Sequence, residues 1–407
     1  MSRPEALIRS WNAERRRPSL DSEDSERPLH VLVLCHEWPP VGGGAGAVAA
    51  SLSDALVDRG YRCTVVTMAL RDTHPADMRG GSLRVIAIPC GRRDRSMASP
   101  FEGLRWAAAA YRAVRRVHTR DAFDVCHAHF AMPAGIVAER LKRSLALPYL
   151  ITPHGSDVPG FNPERMGMVH RVVAPWWRRI CAAADQIVSP SWWLAAQLER
   201  AAPGVRCTVI PNGIDPSRFV PGTKSRSILL CSRLVARKGF QHVLEVLMRT
   251  ALPGWRVDIV GDGPYREHLQ RLAKKSRVPT HMHGWLDQGD ARLRGLYASA
   301  SLFVLPSQRE NFSVALLEAM SAGCAVVTTD VSGNPEAVGS CAVLVPWADH
   351  AALERTLVQL TTDEERCHRL GACARERVVG ALSWASIAKD YDQVLRALVG
   401  SRRAGRA

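Results

Sequence analysis

Pro306–Gly323 reads PSQRENFSVALLEAMSAG, and the architecture follows from what stands on either side of it. Immediately before it, Leu302–Leu305 is a short apolar run of the kind that makes a buried strand. A loop with Arg309, Glu310 and Asn311 comes next, and then a helix over about Ser313–Ala322, closed by Gly323 at the C′ position. That helix carries Val314, Ala315, Leu316, Leu317, Ala319 and Met320, and Glu318 is its one charge. A helix apolar on every side is buried, and a buried carboxylate is costly unless it bonds something. Glu310 stands at the mouth of the same helix, with seven residues between the two acids. Spacing alone leaves two readings open. Either Glu318 bonds backbone and Glu310 is solvated, or the pair holds a polyhydroxylated ligand while the helix N-terminus offers amides to an anion.

Outward from this stretch, strand and helix alternate along the chain. Strands are predicted at Leu29–Cys35, Cys63–Ala69, Leu83–Pro89, Val125–His129, Tyr149–Thr152 and Gln186–Ser189, with helices such as Ala45–Arg59, Glu102–Arg120 and Gly135–Ser144 between them. A second series runs through Ser227–Leu230, Val257–Val260, His281–Gly284, Leu302–Leu305, Ala325–Thr329 and Ala342–Val345. The Pro/Gly-marked segment from Val209 through Pro221-Gly222 separates the two series and reads as a linker. The fold class is therefore α/β, with two doubly wound, Rossmann-like domains over 28–208 and 209–382 facing across a cleft. A polar tail, expected to be disordered, covers 1–27, and a last helix over 383–400 is expected to pack back on the first domain.

Composition narrows the partners. The 407 residues suit two full cores, and 54 Lys+Arg against 39 Asp+Glu give a formal charge of +15. Such an excess favours phosphorylated ligands, anionic membrane or nucleic acid; no groove-reading helix or stacking sheet supports the last. Eleven scattered cysteines without a CxxC predict reduced thiols and a cytosolic setting. No apolar run approaches the roughly 18 residues of a membrane span, and no signal peptide is expected.

Ligands of doubly wound sheets sit outside the carboxyl ends of the strands, so the strand-end motifs are the candidate site. Gly42-Gly43-Gly44-Ala45-Gly46 follows the first strand and opens a helix, which favours an anion. Its match to G-x-G-x-x-A is not a nicotinamide signal. The second strand ends in Val66-Thr67-Met68 without a ribose-binding acid, and Pro39-Pro40 suits a broad loop. Val125-Cys126-His127-Ala128-His129 puts two histidines on one face; with no third ligand nearby we expect one functional histidine and one in the core. His281 and His283 read as structural. Thr152-Pro153-His154-Gly155-Ser156-Asp157 offers His154 and Asp157 to hydroxyls or developing charge, or else forms an Asx-turn. Arg233 and Lys238, in Ser232–Gly239, converge as a phosphate clamp or as a solvated basic loop. Gly261-Asp262-Gly263-Pro264 and Ser332-Gly333-Asn334-Pro335-Glu336 mark further turns.

The ordered set EWPPVGGGAG, HAHF, TPHGSD, ADQIVSPS, VIPNGID, SRLVARKG, VGDGP, VLPSQRENFSVALLEAMSAG and SGNPEAV resembles the retaining glycosyltransferases of family 4, with the GT-B fold, from about Leu29 to Leu398. The resemblance implies a first domain for the acceptor and a second for a nucleoside diphosphate sugar. Glu310 would hold the sugar hydroxyls and Glu318 the ribose. Arg233 and Lys238 would neutralise the diphosphate, helped by the amides around Asn311, Phe312 and Ser313 and by Gly43 opposite. His154 would reach the donor, and His129, Asp157 and Gly44 would line the reaction centre. No cofactor and no metal is implied, because the departing phosphate takes the acceptor proton in a front-face attack. Where the family often has E-G-F-G, this chain has Glu310-Asn311-Phe312-Ser313, with Asn311 able to adopt a left-handed backbone. Ser332-Gly333 replaces Gly-Gly.

The partners so implied are a nucleotide-sugar donor and a glycan or lipid-linked acceptor of cell-envelope or exopolysaccharide type. Glu102–Arg120 and Phe161–Ile180 mix Arg with Trp106, Trp176 and Trp177. They read either as surfaces for an anionic bilayer, at the inner face of the membrane, or as amphipathic helices with aromatics in the core. Alternative activities on the same motifs are a sugar-nucleotide epimerase, a sugar phosphorylase or a non-catalytic sugar-nucleotide-binding protein.

Overall fold

The computed structural model describes residues 27–70, 76–78, 81–92 and 98–404. The tail expected over 1–27 lies outside these residues except for Arg27, whose guanidinium bonds both oxygens of Asp124 at 2.6 and 3.1 Å.

The first sheet holds β1 (His30–Leu34), β2 (Arg62–Leu70), β3 (Ala76–Met78), β4 (Leu83–Arg92), β5 (Val125–His129), β6 (Tyr149–Thr152), β7 (Gln186–Ser189) and β8 (Cys207–Val209), in the order β3-β4-β2-β1-β5-β6-β7-β8. Its helices are α1 (Gly44–Asp58), α2 (Pro100–His118), α3 (Ala134–Leu145), α4 (Pro163–Ala183) and α5 (Trp192–Ala201). The second sheet holds β9 (Ser225–Cys231), β10 (Arg256–Val260), β11 (Thr280–Gly284), β12 (Ala300–Leu305), β13 (Ala325–Thr329) and β14 (Ala342–Val345), in the order β11-β10-β9-β12-β13-β14. Around it run α6 (Phe240–Leu247), α7 (Arg266–Ala273), α8 (Ala291–Ser299), α9 (Val314–Ser321), α10 (Asn334–Val338), α11 (His350–Thr362) and α12 (Glu364–Ala381), and α13 (Trp384–Ala404) is the last described element. Every pairing is parallel except β3 with β4. Each sheet thus contains a 3-2-1-4-5-6 order and reverses beside its first strand, where doubly wound folds bind ligands.

Alternation along β1 explains why helices cover both faces. Leu32 and Leu34 join a core with Trp106, Val114, Val137 and Leu141 from α2 and α3. Val31 and Val33 join Val48, Leu52 and Leu56 of α1, together with Trp384, Ile387, Tyr391 and Leu395 of α13. The strand is buried on both sides, so it reads as an uninterrupted apolar run.

The chain crosses between the sheets twice, and the crossings touch. Ile214 donates to the Leu382 carbonyl at 2.9 Å and accepts from the Trp384 amide at 3.0 Å. Gly213 is required there, since a Cβ would stand 2.7 Å from the Trp384 indole. One expectation fails: Cys341, just past α10, and Cys373 on α12 form a disulfide, while the other nine cysteines are thiols. Their Cα atoms are 5.3 Å apart across a sequence separation of 32. Only the packing of α12 brings them together, which no local spacing announces.

Candidate active site

Loops after β1, β5, β6 and β7 meet loops after β9, β12 and β13 between the sheets. The glycine loop is shaped by Glu37, whose Oε2 accepts the Gly43 amide at 3.1 Å. Gly42 has φ +96°, and a Cβ there would press on the Glu37 side chain at 2.5 Å. Burial raises the Glu37 pKa, opposed by the Gly43 amide and by the fields of Arg92 and Arg233. Arg233 belongs to the loop after β9, so the two domains are electrostatically coupled at this point.

Gly43 is the N-cap of α1 and Ser313 the N-cap of α9, and neither helix has a side-chain cap. Both starts therefore present amides without an intrahelical partner. They abut: a Cβ on Gly44 would lie 3.8 Å from Val314 Cγ2. Beneath them a slot of about 20 Å³ is lined by Ala47, Ser51, Gly213, Arg218, Gln288 and Glu318, among others.

Both acids of the opening stretch are placed by this geometry. Glu310 Oε1 accepts from Lys238 Nζ at 2.5 Å, in a pair that is mostly buried. Glu318 is 5% exposed and accepts Tyr297 Oη at 2.8 Å and Gln288 Nε2 at 3.1 Å. Burial pushes its carboxyl up to about 7, against the Tyr297 hydrogen bond and the Arg218 charge. Its partners are side chains, not the backbone groups of the plainer reading.

The turn after β13 supports the Glu310 loop. The Glu310 amide donates to Ser332 Oγ at 2.9 Å, and the Gly333 amide donates to the Glu310 carbonyl at 3.0 Å. A Cβ on Gly333 would fall 1.4 Å from the Asn311 carbonyl oxygen, so only glycine fits. The left-handed residue of this pair of turns is Ser332, at φ +52°, whereas Asn311 is not left-handed. Asn311 is buried and accepts Ser191 Oγ at 2.7 Å from the other domain. The Phe312 carbonyl accepts Asn212 Nδ2 at 2.9 Å. Asn311 thus serves a contact between domains and does not use a left-handed backbone. Gly261 and Gly263 serve the opposite loop, packing where a Cβ would meet the Ser232 and Leu234 carbonyls at 1.9 and 2.4 Å.

On the first-domain side lies a group of uncharged imidazoles. His127 and His129 are each 1% exposed, with rings stacked at 4.1 Å. His127 Nε2 pairs with Thr152 Oγ1 at 2.8 Å, and His129 Nδ1 meets His154 Nε2 at 3.1 Å. Both are buried and both meet the TPHGSD motif, His127 at Thr152 and His129 at His154. Burial drives the pKa of His127 and of His154 down to about 3 and that of His129 well below its ordinary value. Asp157 accepts the Ala131 and His154 amides at 2.7 and 3.0 Å, and burial lifts it to about 6 despite them. His281 and His283 lie on β11, away from these loops, and His283 bonds Asp258 at 2.8 Å.

Several residues here were not singled out from sequence. His36 is mostly buried beside Glu37, its pKa driven down to about 3 by burial, with Nδ1 lacking a hydrogen-bond partner. Glu37 is the acid of EWPP, and its place five residues before Gly42 is the available signal. Glu336 reaches across the domains to accept the Trp192 and Trp193 amides at 2.6 and 2.8 Å, capping α5. Arg237 donates to Asn162 Oδ1 at 3.3 Å, and Arg309 donates to the Phe161 carbonyl. The loop that follows His154 therefore lies against the loops that carry Lys238 and Glu310.

Comparison with known proteins fits this arrangement. Residues 42–218 match the profile of Glycosyltransferase Family 4, and residues 215–377 match that of Glycosyl transferases group 1. A glycogen synthase of Mycobacterium tuberculosis is 28% identical over 92% of this chain and 96% of its own length. A GDP-mannose-dependent alpha-(1-6)-phosphatidylinositol monomannoside mannosyltransferase of the same organism is 25% identical over 90% and 98%. Among solved structures, the sucrose-phosphate synthase of Thermosynechococcus elongatus superposes with a TM-score of 0.80 at 20% identity, covering 92% of this chain and 100% of that one. With profiles running from residue 42 to 377 and two facing Rossmann-like domains, the chain is a glycosyltransferase that belongs to family 4 and has the GT-B fold.

Proposed function

We propose that the protein transfers a hexose from a nucleoside diphosphate sugar to a glycan or lipid-linked acceptor with retention of configuration. One observation carries this reading: two uncapped helix starts abut over a slot that reaches Glu318, beside the Lys238–Glu310 pair. A diphosphate is the ligand for which amides and cations of this kind compete best. In this reading Lys238 and Arg233 take the diphosphate, with the amides of Gly43, Asn311, Phe312 and Ser313. Lys238 then exchanges its contact with Glu310 for phosphate, and Glu310 turns to the sugar hydroxyls. Glu318 accepts from the ribose hydroxyls through lone pairs that Tyr297 and Gln288 leave open.

The C1–phosphate bond breaks while the acceptor oxygen bonds C1 on the same face, and the acceptor proton passes to the departing phosphate oxygen. His154, neutral at physiological pH, hydrogen-bonds the donor without adding charge. His129 holds it in place, and Asp157 and Gly44 shape the reaction centre. The transfer step uses no metal and no cofactor.

Exposed residues support an acceptor at a membrane. Met168, Val172 and Trp176 of α4 are 81%, 65% and 59% exposed, and they recur every fourth residue, on one face. Arg171, Arg178 and Arg179 are exposed on the same helix. Phe101 and Leu104 are exposed on α2 near Arg105, while Trp106 and Trp177 fill the core. No helix among the described residues is long and apolar enough to cross a bilayer. We therefore read peripheral contact with anionic lipid from the cytoplasmic side.

A thermal-shift panel of UDP-, GDP- and ADP-sugars identifies the donor by mass action. NMR of the product then gives the anomeric configuration. An inverted product, or sugar conversion without any acceptor, would sink the proposal.

A further inference from the structure

Away from the cleft, α6 and α11 bring together His242, Glu245 and His350. His242 and Glu245 stand three residues apart on α6, and so share a face, and His350 opens α11. His242 Nδ1 lies 2.9 Å from His350 Nε2, His242 Nδ1 lies 3.4 Å from Glu245 Oε2, and His350 Nε2 lies 3.3 Å from the same Oε2. One atom from each residue thus forms a triangle of nearly equal sides. Among the described residues this is the one group of three such side chains close enough to hold a metal ion.

A cation about 2.0–2.1 Å from each atom sits about 0.9 Å above the triangle, at ligand–metal–ligand angles of about 90 to 110°. Those are the angles of three protein ligands around a tetrahedral ion whose fourth position is open. Two imidazoles with one carboxylate select a borderline ion over magnesium or calcium, which prefer oxygen alone.

A second observation points the same way. Gln241 Nε2 lies 3.3 Å from His242 Nε2, and Gln241 Oε1 is buried without a hydrogen-bond partner. An imidazole that binds a metal through Nδ1 carries its proton on Nε2 and needs an acceptor there. Gln241 supplies that acceptor by a rotamer that lifts its amide off the Ala236 carbonyl, since a turn in place would set Oε1 2.9 Å from that oxygen. The Ala236 carbonyl, which Gln241 Nε2 now bonds at 2.9 Å, keeps the Gly239 amide at 3.1 Å.

We propose that His242, Glu245 and His350 form a binding site for Zn²⁺ or a similar divalent transition metal, which pins the start of α11 to α6. The site is separate from the transfer chemistry and does not depend on the reading given above. It lies under the donor-binding face all the same. Gly239, between Lys238 and α6, is close-packed, and a Cβ on it would meet the Pro306 carbonyl at 2.0 Å and the Trp347 ring at 3.0 Å. Trp347 stacks edge-on against His242 at 4.9 Å between ring centres.

The test uses the full chain without a histidine tag, stripped of metal and titrated with Zn²⁺ by calorimetry near pH 7.5. One equivalent should bind and raise the melting temperature, and Co²⁺ should give the visible absorption of a four- or five-coordinate ion. Mg²⁺ should do neither. His350→Ala and Glu245→Ala should each abolish the Zn²⁺ heat while the circular dichroism stays native, and Gln241→Ala should weaken binding by about tenfold. Failure of the wild-type chain to bind one equivalent overturns the proposal. So does Zn²⁺ binding that survives both ligand substitutions.

Discussion

The two sides of the cleft solve opposite electrostatic problems. The second domain presents charge: Lys238, Arg233 and Glu310, with Glu318 just behind them. The first domain presents His127, His129 and His154, all held neutral by burial. A diphosphate needs fixed cations to neutralise it. A sugar carbon passing through a positively charged transition state needs no further cation beside it, and neutral imidazoles bond hydroxyls without opposing that charge. Under the proposed function, the difference assigns leaving-group stabilisation to one wall and positioning to the other.

The sharpest way to break this comparison is to remove the charge. Lys238→Ala should lower kcat/KM by about 10²–10³-fold, with the folded state retained by circular dichroism. His154→Ala should cost less, about tenfold to a hundredfold in kcat, because one neutral hydrogen bond is lost. If the two losses are equal, the division of labour is wrong.

Acidity sharpens the comparison next. Glu318 is pushed up to about 7, so it is ionised above that pH and protonated below it. An ionised carboxylate accepts ribose hydroxyls better, so donor KM should rise as pH falls through about 7. In Glu318→Gln that profile should be flat. On the first-domain side His127 is pushed down to about 3, so between pH 6.5 and 3 the unfolded chain binds more protons than the folded one. Its contribution to stability is present above pH 6.5 and lost as pH falls from 6.5 toward 3. Urea titrations across that range should show it, and His127→Gln should lessen the slope. The smallest expected effect is at the contact between the walls. Glu336→Gln weakens the capping of α5 and should change donor KM by about threefold, near the worth of one hydrogen bond.

Much of this was legible in the sequence because it is local. Val125–His129, Tyr149–Thr152, Gln186–Ser189, Ala325–Thr329 and Ala342–Val345 are strands with the bounds that their composition suggests. The pairing of Lys238 with Glu310 was not legible; it follows from β9 and β12, which the topology brings side by side. What the sequence hid is contact between distant segments. Gly333 looks like any turn glycine until the Asn311 carbonyl is found against it, and Asn311 looks like a tolerated substitution until Ser191 is found bonding it. Glu37 lies in EWPP, and its hold on the loop is invisible in sequence because the glycines that follow explain the loop by themselves. The Cys341–Cys373 bond reverses an expectation drawn from spacing, since its two ends meet only through the packing of α12.

The return of α13 to the first sheet has a consequence for how the molecule is made. Trp384, Ile387, Tyr391 and Leu395 complete the core around Val31 and Val33, yet they leave the ribosome after the whole second domain has been synthesised. The half that emerges first therefore waits with one apolar face of its sheet only part-covered, by α1, and the half that emerges later is the first to finish. The 21 residues of α13 are in this sense the final step in assembling the domain that the first strand began.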